Sequence, residues 1–129
     1  MKNIMNINEK CQKLPILRTQ HVEFIDGECV YENKSVISEW IKAFYHLDLI
    51  SDDYMRKYNT LMMKIGAEEG VSIEEREISL FTRDEILTII SFMLRSDHFG
   101  NHNIAYALNN GFLEKMCVQL HKVTSEPEN

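Results

Sequence analysis

The chain has little of what interrupts or staples a fold. Two of its 129 residues are proline and five are glycine. Pro15 and Pro127 sit near the two ends, so the interior is free to form helices. The three cysteines, Cys11, Cys29 and Cys117, are odd in number and widely spaced, which excludes an ordinary disulfide framework. No Cys-x-x-Cys pair signals a zinc knuckle. Free thiols fit a reducing compartment, and the expected localisation is cytoplasmic. The start of the chain lacks the apolar core of a signal peptide. No stretch reaches the ~20 apolar residues of a membrane span. The longest, residues 89–94, stops at Arg95. P-loop, GxGxxG, GxSxG and HExxH motifs are all missing, so the sequence announces no nucleotide, serine-hydrolase or zinc-protease chemistry and no cofactor.

A basic excess is missing too. The net charge is −6, and it is unevenly spread. Residues 1–20 hold Lys2, Lys10, Lys13 and Arg18 against Glu9 alone. Residues 21–80 hold thirteen acidic against six basic side chains. Binding to a duplex normally needs a basic patch that neutralises phosphates, so direct nucleic-acid binding is disfavoured. An acidic middle segment suits a protein partner with a basic surface, or simply a solvated face that keeps the chain in solution. Within it, Glu68, Glu69, Glu74 and Glu75 form the densest run, the expected partner-binding residues.

What is present reads as one domain over 1–129, with 124–129 a polar, frayed tail. The expected class is mostly α (α+β), with four to five packed helices and a small N-terminal β-hairpin. The hairpin falls at 21–32. There Val22, Phe24, Cys29 and Tyr31 alternate with polar residues around Asp26-Gly27, a pair suited to positive φ. Residues 4–14 read as a short helix or as irregular chain, ending before Pro15.

Val36, Ile37, Trp40, Ile41, Phe44 and Leu47 recur at helical spacing after Asn33 or Ser35. A second helix follows Ser51, read as its cap, with Asp52 and Asp53 in the first turn. Its stripe is Met55, Tyr58, Leu61, Met62 and Ile65, and Gly66 ends it. Thr82-Arg-Asp-Glu85 is a capping box before an almost wholly apolar run to Ser96, the expected central helix. A break at 97–102 precedes helices over 103–110 and 112–123.

Arg95, Asp97, His98, Phe99, Ala105, Ala107, Gly111 and Leu120 form a pattern. From the end of the central helix onward, this pattern resembles the small bacterial proteins grouped as domain-of-unknown-function family 6508. In that family a helix closing in arginine is followed by Asp-Arg-Phe, a glycine, a short helix of small residues, a second glycine and an apolar helix. His98 stands where the family has its second arginine, His102 where it has the first glycine, and Ser91 where threonine is usual. Trp40 matches a tryptophan of the family's middle region. The resemblance covers mainly the last 40 residues; it implies a helical fold and carries no activity.

Four groupings bear on chemistry. Asp97, His98 and His102 place two imidazoles and a carboxylate within six residues, a possible ligand or metal corner. Their alternative reading is a helix–helix corner in which Asp97 and Asn101 cap backbone groups. Arg95 and Asp97 suggest a structural ion pair. Cys117 and His121 share a helix face at the spacing of a thiolate–imidazole pair, although Cys117 also fits an apolar stripe. Trp40, Phe44 and Tyr45 read as core residues or as interface anchors. No heptad repeat points to a coiled-coil dimer.

Two functions compete on this reading. One is a non-enzymatic interaction protein, such as a small phage- or mobile-element-encoded inhibitor of a host defence machine (an anti-CRISPR protein, for example) that occupies a basic surface. The other is a small enzyme or metal- or ligand-binding domain using the corner of Asp97, His98 and His102.

Overall fold

The computed structural model describes residues 5–65, 77–97 and 102–125. Among these, six α-helices and one two-stranded antiparallel sheet follow in the order α1 (Ile7–Lys13), β1 (Val22–Ile25), β2 (Glu28–Tyr31), α2 (Lys34–His46), α3 (Tyr54–Ile65), α4 (Arg83–Asp97), α5 (Asn103–Asn109) and α6 (Phe112–Ser125). A 3-10 turn, Ile78–Leu80, precedes α4. The mostly helical class with a hairpin holds; the helix count rises to six because residues 7–13 also form a helix. Asn6 accepts a bond from the Glu9 backbone and caps it. Gln12 then reaches the His121 carbonyl and the Thr124 hydroxyl on α6. A helix this short is marginal alone, and docking on α6 supplies what propensity does not.

The hairpin pairs Val22 with Tyr31 and Phe24 with Cys29, so the four alternating residues share one face. Asp26 and Gly27 both take positive φ, 50° and 80°, as a type I′ turn requires. Asn33 caps α2 by accepting from the Val36 N–H, and Gln20 bonds the Asn33 backbone from the other side. Trp40 and Phe44 are fully buried, with the Trp40 indole N–H donating to the Pro15 carbonyl. Val36, expected in the stripe, is 44% exposed. It lies at the edge of the buried stripe that Ile37, Trp40 and Phe44 form.

α3 begins three residues after Ser51, and Ser51 does not cap it. Asp53 takes φ 56°, and its carbonyl accepts the first helical bond, from Lys57. The Ser51 N–H is instead engaged by the Ser91 hydroxyl of α4. Met55 turns outward, while Leu61 and Ile65 are buried and Tyr58 stacks on Phe92.

α4 is the central helix. Thr82 and Glu85 exchange backbone bonds at 3.2 and 2.9 Å, the reciprocal capping box. Every residue from Ile86 to Ser91 is buried, together with Met93 and Leu94. Ser91 is tolerated inside because its hydroxyl donates to the Leu87 carbonyl while accepting from Ser51. α6 closes the core with Leu113, Met116, Cys117 and Leu120, each at 0% exposure. It extends to Ser125 and buries Thr124, so the first two residues of the expected tail are helical. No helix among the described residues is long and apolar enough to cross a membrane.

Candidate functional site

His102, the residue before α5, meets the inner face of the hairpin. His102 precedes α5 with a left-handed backbone, φ 55°, a conformation that non-glycine residues seldom adopt. Its side chain does not cap the helix. Asp97 does so from the end of α4, accepting from the Ile104 N–H at 3.4 Å. The His102 ring is thereby free to face β2, where Nδ1 lies 3.3 Å from the Cys29 thiol. Tyr31 bonds the same thiol, and Asp97 is near enough to act on both electrostatically.

This half-buried group of Cys29, Tyr31, Asp97 and His102 gathers residues from two distant parts of the chain. Its electrostatics oppose ionisation. Partial burial raises the Cys29 pKa, the Asp97 charge raises it further, and the Tyr31 bond offsets only part of this. Burial, then Cys29 and Asp97, push Tyr31 up to about 12. A thiol held protonated is a poorer nucleophile than its thiolate.

The other expected pairs come apart. Arg95 does not pair with Asp97; its guanidinium stands 5.8 Å from the centre of the Tyr45 ring. One face of α4 is sealed by core contacts, and Arg95, on the exposed side, meets the solvent-facing ring of α2 instead. Tyr45 thus parts from Trp40 and Phe44 and is 42% exposed. Cys117 and His121 do not work together either. Burial raises the Cys117 thiol to about 11, although a Leu17 backbone bond and the Trp40 ring favour its anion. His121 Nε2 donates to the Leu14 carbonyl. Of the ligand corner, Asp97 and His102 are placed as described, and His98 lies outside the described residues, as does Asn101. Among the described residues no three His, Cys, Asp or Glu side chains cluster as a metal would need.

No family model, curated protein or solved structure matches this chain. Glu68, Glu69, Glu74 and Glu75 lie outside the described residues. The rest of the acidic segment does not: Glu23, Asp26, Glu28, Glu32, Glu39, Asp48, Asp52, Asp53 and Glu77 are all exposed.

Two surface grooves are less informative. One, of about 250 Å³, runs between α3 and α4 beside Arg56, Lys57 and Lys64. Those cations are already engaged, by Asp53, the Ser51 hydroxyl and Glu85 respectively. The other, of about 220 Å³, is lined by Tyr58, Phe92, Asn103, Tyr106 and Phe112. Beside it Phe24 stacks on Tyr106 with ring centres 4.7 Å apart, and both rings are partly exposed. Sequence reasoning missed Cys29, Tyr31 and Tyr106 as site residues. Strand alternation had placed Cys29 and Tyr31 on one face, but nothing local says which helix lies opposite.

Proposed function

We propose that this chain is a non-enzymatic protein-interaction domain that binds a basic surface of its partner. Small phage- or mobile-element-encoded inhibitors of host defence machines, anti-CRISPR proteins among them, work in this way. The observation that carries the reading is the outward placement of all nine described acidic side chains of residues 21–80. Long-range attraction to a basic patch raises the association rate and selects the partner by charge. Glu68, Glu69, Glu74 and Glu75 belong to the same acidic segment of the sequence. The resemblance to family 6508 adds a helical scaffold to this reading and no activity.

The test is affinity capture from a bacterial lysate, read by mass spectrometry. The control carries Glu68, Glu69, Glu74 and Glu75 changed to Lys. One stoichiometric protein, lost in the control and at raised salt, is the expected result. The competing reading places a ligand or metal at Asp97, His98 and His102. No captured protein, with a stoichiometric metal that disappears in His98→Ala and His102→Ala, would replace the proposal with it.

A further inference from the structure

The hairpin has a second face, turned away from the helices. Successive strand residues point to opposite sides, so Glu23, Ile25, Glu28 and Val30 lie back to back with Val22, Phe24, Cys29 and Tyr31. The register sets Glu23 opposite Val30 and Ile25 opposite Glu28. Each cross-strand pair therefore joins a carboxylate to an aliphatic side chain, and each diagonal joins like to like. Ile25 and Val30 are both 49% exposed, and both glutamates are exposed. Asp26 adds a third carboxylate at the turn. No Lys or Arg occurs in residues 21–32. The exposed His21 imidazole lies 3.6 Å from the Glu23 carboxylate. An isolated surface aliphatic needs no explanation, but a diagonal pair framed by charges of one sign has the layout of an interface.

We infer that this outer face docks a basic, extended protein segment carrying aliphatic side chains between its Lys or Arg residues. The inference rests on the reading above that the partner is basic, and it names the surface. An extended segment repeats its side chains on one face every second residue, the same spacing that separates Glu23 from Ile25 and Glu28 from Val30. A cation over Glu23 and an aliphatic side chain over Ile25 follow β1, and the same alternation recurs over Glu28 and Val30 along β2. Charge alone is insufficient here, because exposed ion pairs contribute little unless apolar contact excludes water around them.

The probe is a short synthetic peptide of repeating Lys-Lys-Val-Val, titrated into the isotope-labelled full chain and followed by NMR. The expected result is shifts concentrated in residues 22–31. Two double variants, Glu23→Lys with Glu28→Lys and Ile25→Ser with Val30→Ser, should each weaken binding roughly tenfold, about the effect of two modest contacts combined. The variant Glu23→Gln with Glu28→Gln, which leaves the inner face and the turn untouched, keeps the charge test valid should the lysine variant misfold. A Lys-Lys-Ser-Ser peptide of equal charge should bind more weakly. Binding that ignores these variants and shifts other acidic residues would overturn the hairpin as the docking face while leaving a basic partner in place. No binding of the basic peptide at all would overturn both.

Discussion

Two cysteines of this chain stand close to a histidine, and their surroundings differ in every respect that matters. Cys117 and His121 are one helical turn apart on α6, yet their side chains serve different neighbours. The thiol is fully enclosed beside Leu17 and Trp40, and the imidazole holds the Leu14 carbonyl. Cys29 and His102 are 73 residues apart and touch. Helical spacing thus offers proximity, while the nearest unsatisfied carbonyl decides where an imidazole goes. Contact between thiol and imidazole is not sufficient for reactivity either. At the corner, partial burial and Asp97 keep the Cys29 proton in place.

The sharpest test of that contrast is thiol labelling in the native state. Cys29 should react without unfolding, and its rate should climb as pH passes its ordinary value of 9.0, because the raised pKa leaves little thiolate below it. Cys11 and Cys117 are fully buried and should wait for global unfolding. They should react roughly 10³-fold slower or more, following the folding equilibrium. Fast native-state labelling of Cys117 would erase the distinction.

Next in size is packing. Leu113→Ala, beside Cys117 in a region with 0% exposure, should lose about 3 kcal/mol in urea unfolding, the usual cost of a cavity left by leucine. Cys29→Ala at the half-open corner should lose less than about 1 kcal/mol. Equal losses at the two positions would mean that the corner is as tightly packed as the α6 seam.

The third test uses alkali. Burial raises Cys117, and also Cys11, from 9.0 to about 11. Between those values the unfolded chain has released protons that the folded chain still holds, so stability falls as pH rises. The stability is complete below pH 9 and declines toward pH 11, by up to about 2–3 kcal/mol for a fully buried thiol such as Cys117. Cys117→Ala should flatten this slope; an unchanged slope would assign it elsewhere. The acid side has the opposite sign. At Glu85 burial acts to raise the pKa, but the Thr82 backbone bond and Lys64 outweigh it and the net shift is down. Its contribution is present above the ordinary 4.5 and fades as pH falls through its lowered value.

The smallest effect belongs to the hairpin. Phe24→Ala removes the stack on Tyr106 and should cost about 1 kcal/mol, with faster hydrogen exchange confined to residues 22–31. If exchange also quickens across α4, the hairpin is part of the main core and not an appendage to it.

Much of the fold was legible because its signals are local. The Thr82–Glu85 exchange involves two residues one turn apart, and the Asp26-Gly27 turn needs only positive φ. Apolar spacing marked α2, α4 and α6 for the same reason. The errors fell where two local readings were equally good. Ser51 has the chemistry of a cap, but the buried Ser91 hydroxyl engages its backbone and the helix starts later. The short helix offered over residues 4–14 does form, at Ile7–Lys13, and Gln12 uses the far end of α6 to stabilise it.

The candidate site was the least legible part, and the reason is geometric. By itself the sequence determined the hairpin and the longer helices, that the centre is α4, and that the acidic charge is concentrated in residues 21–80, since each depends on neighbours within a turn or on simple composition. Only the tertiary structure decided that His102 meets Cys29, that Arg95 lies over Tyr45, and that the hairpin presents Glu23, Ile25, Glu28 and Val30 outward. The first and last depend on how α5 and the hairpin pack together, and the second on how the end of α4 meets α2. Contact between segments so far apart is set by the shapes of the buried faces, which no local pattern of residues contains.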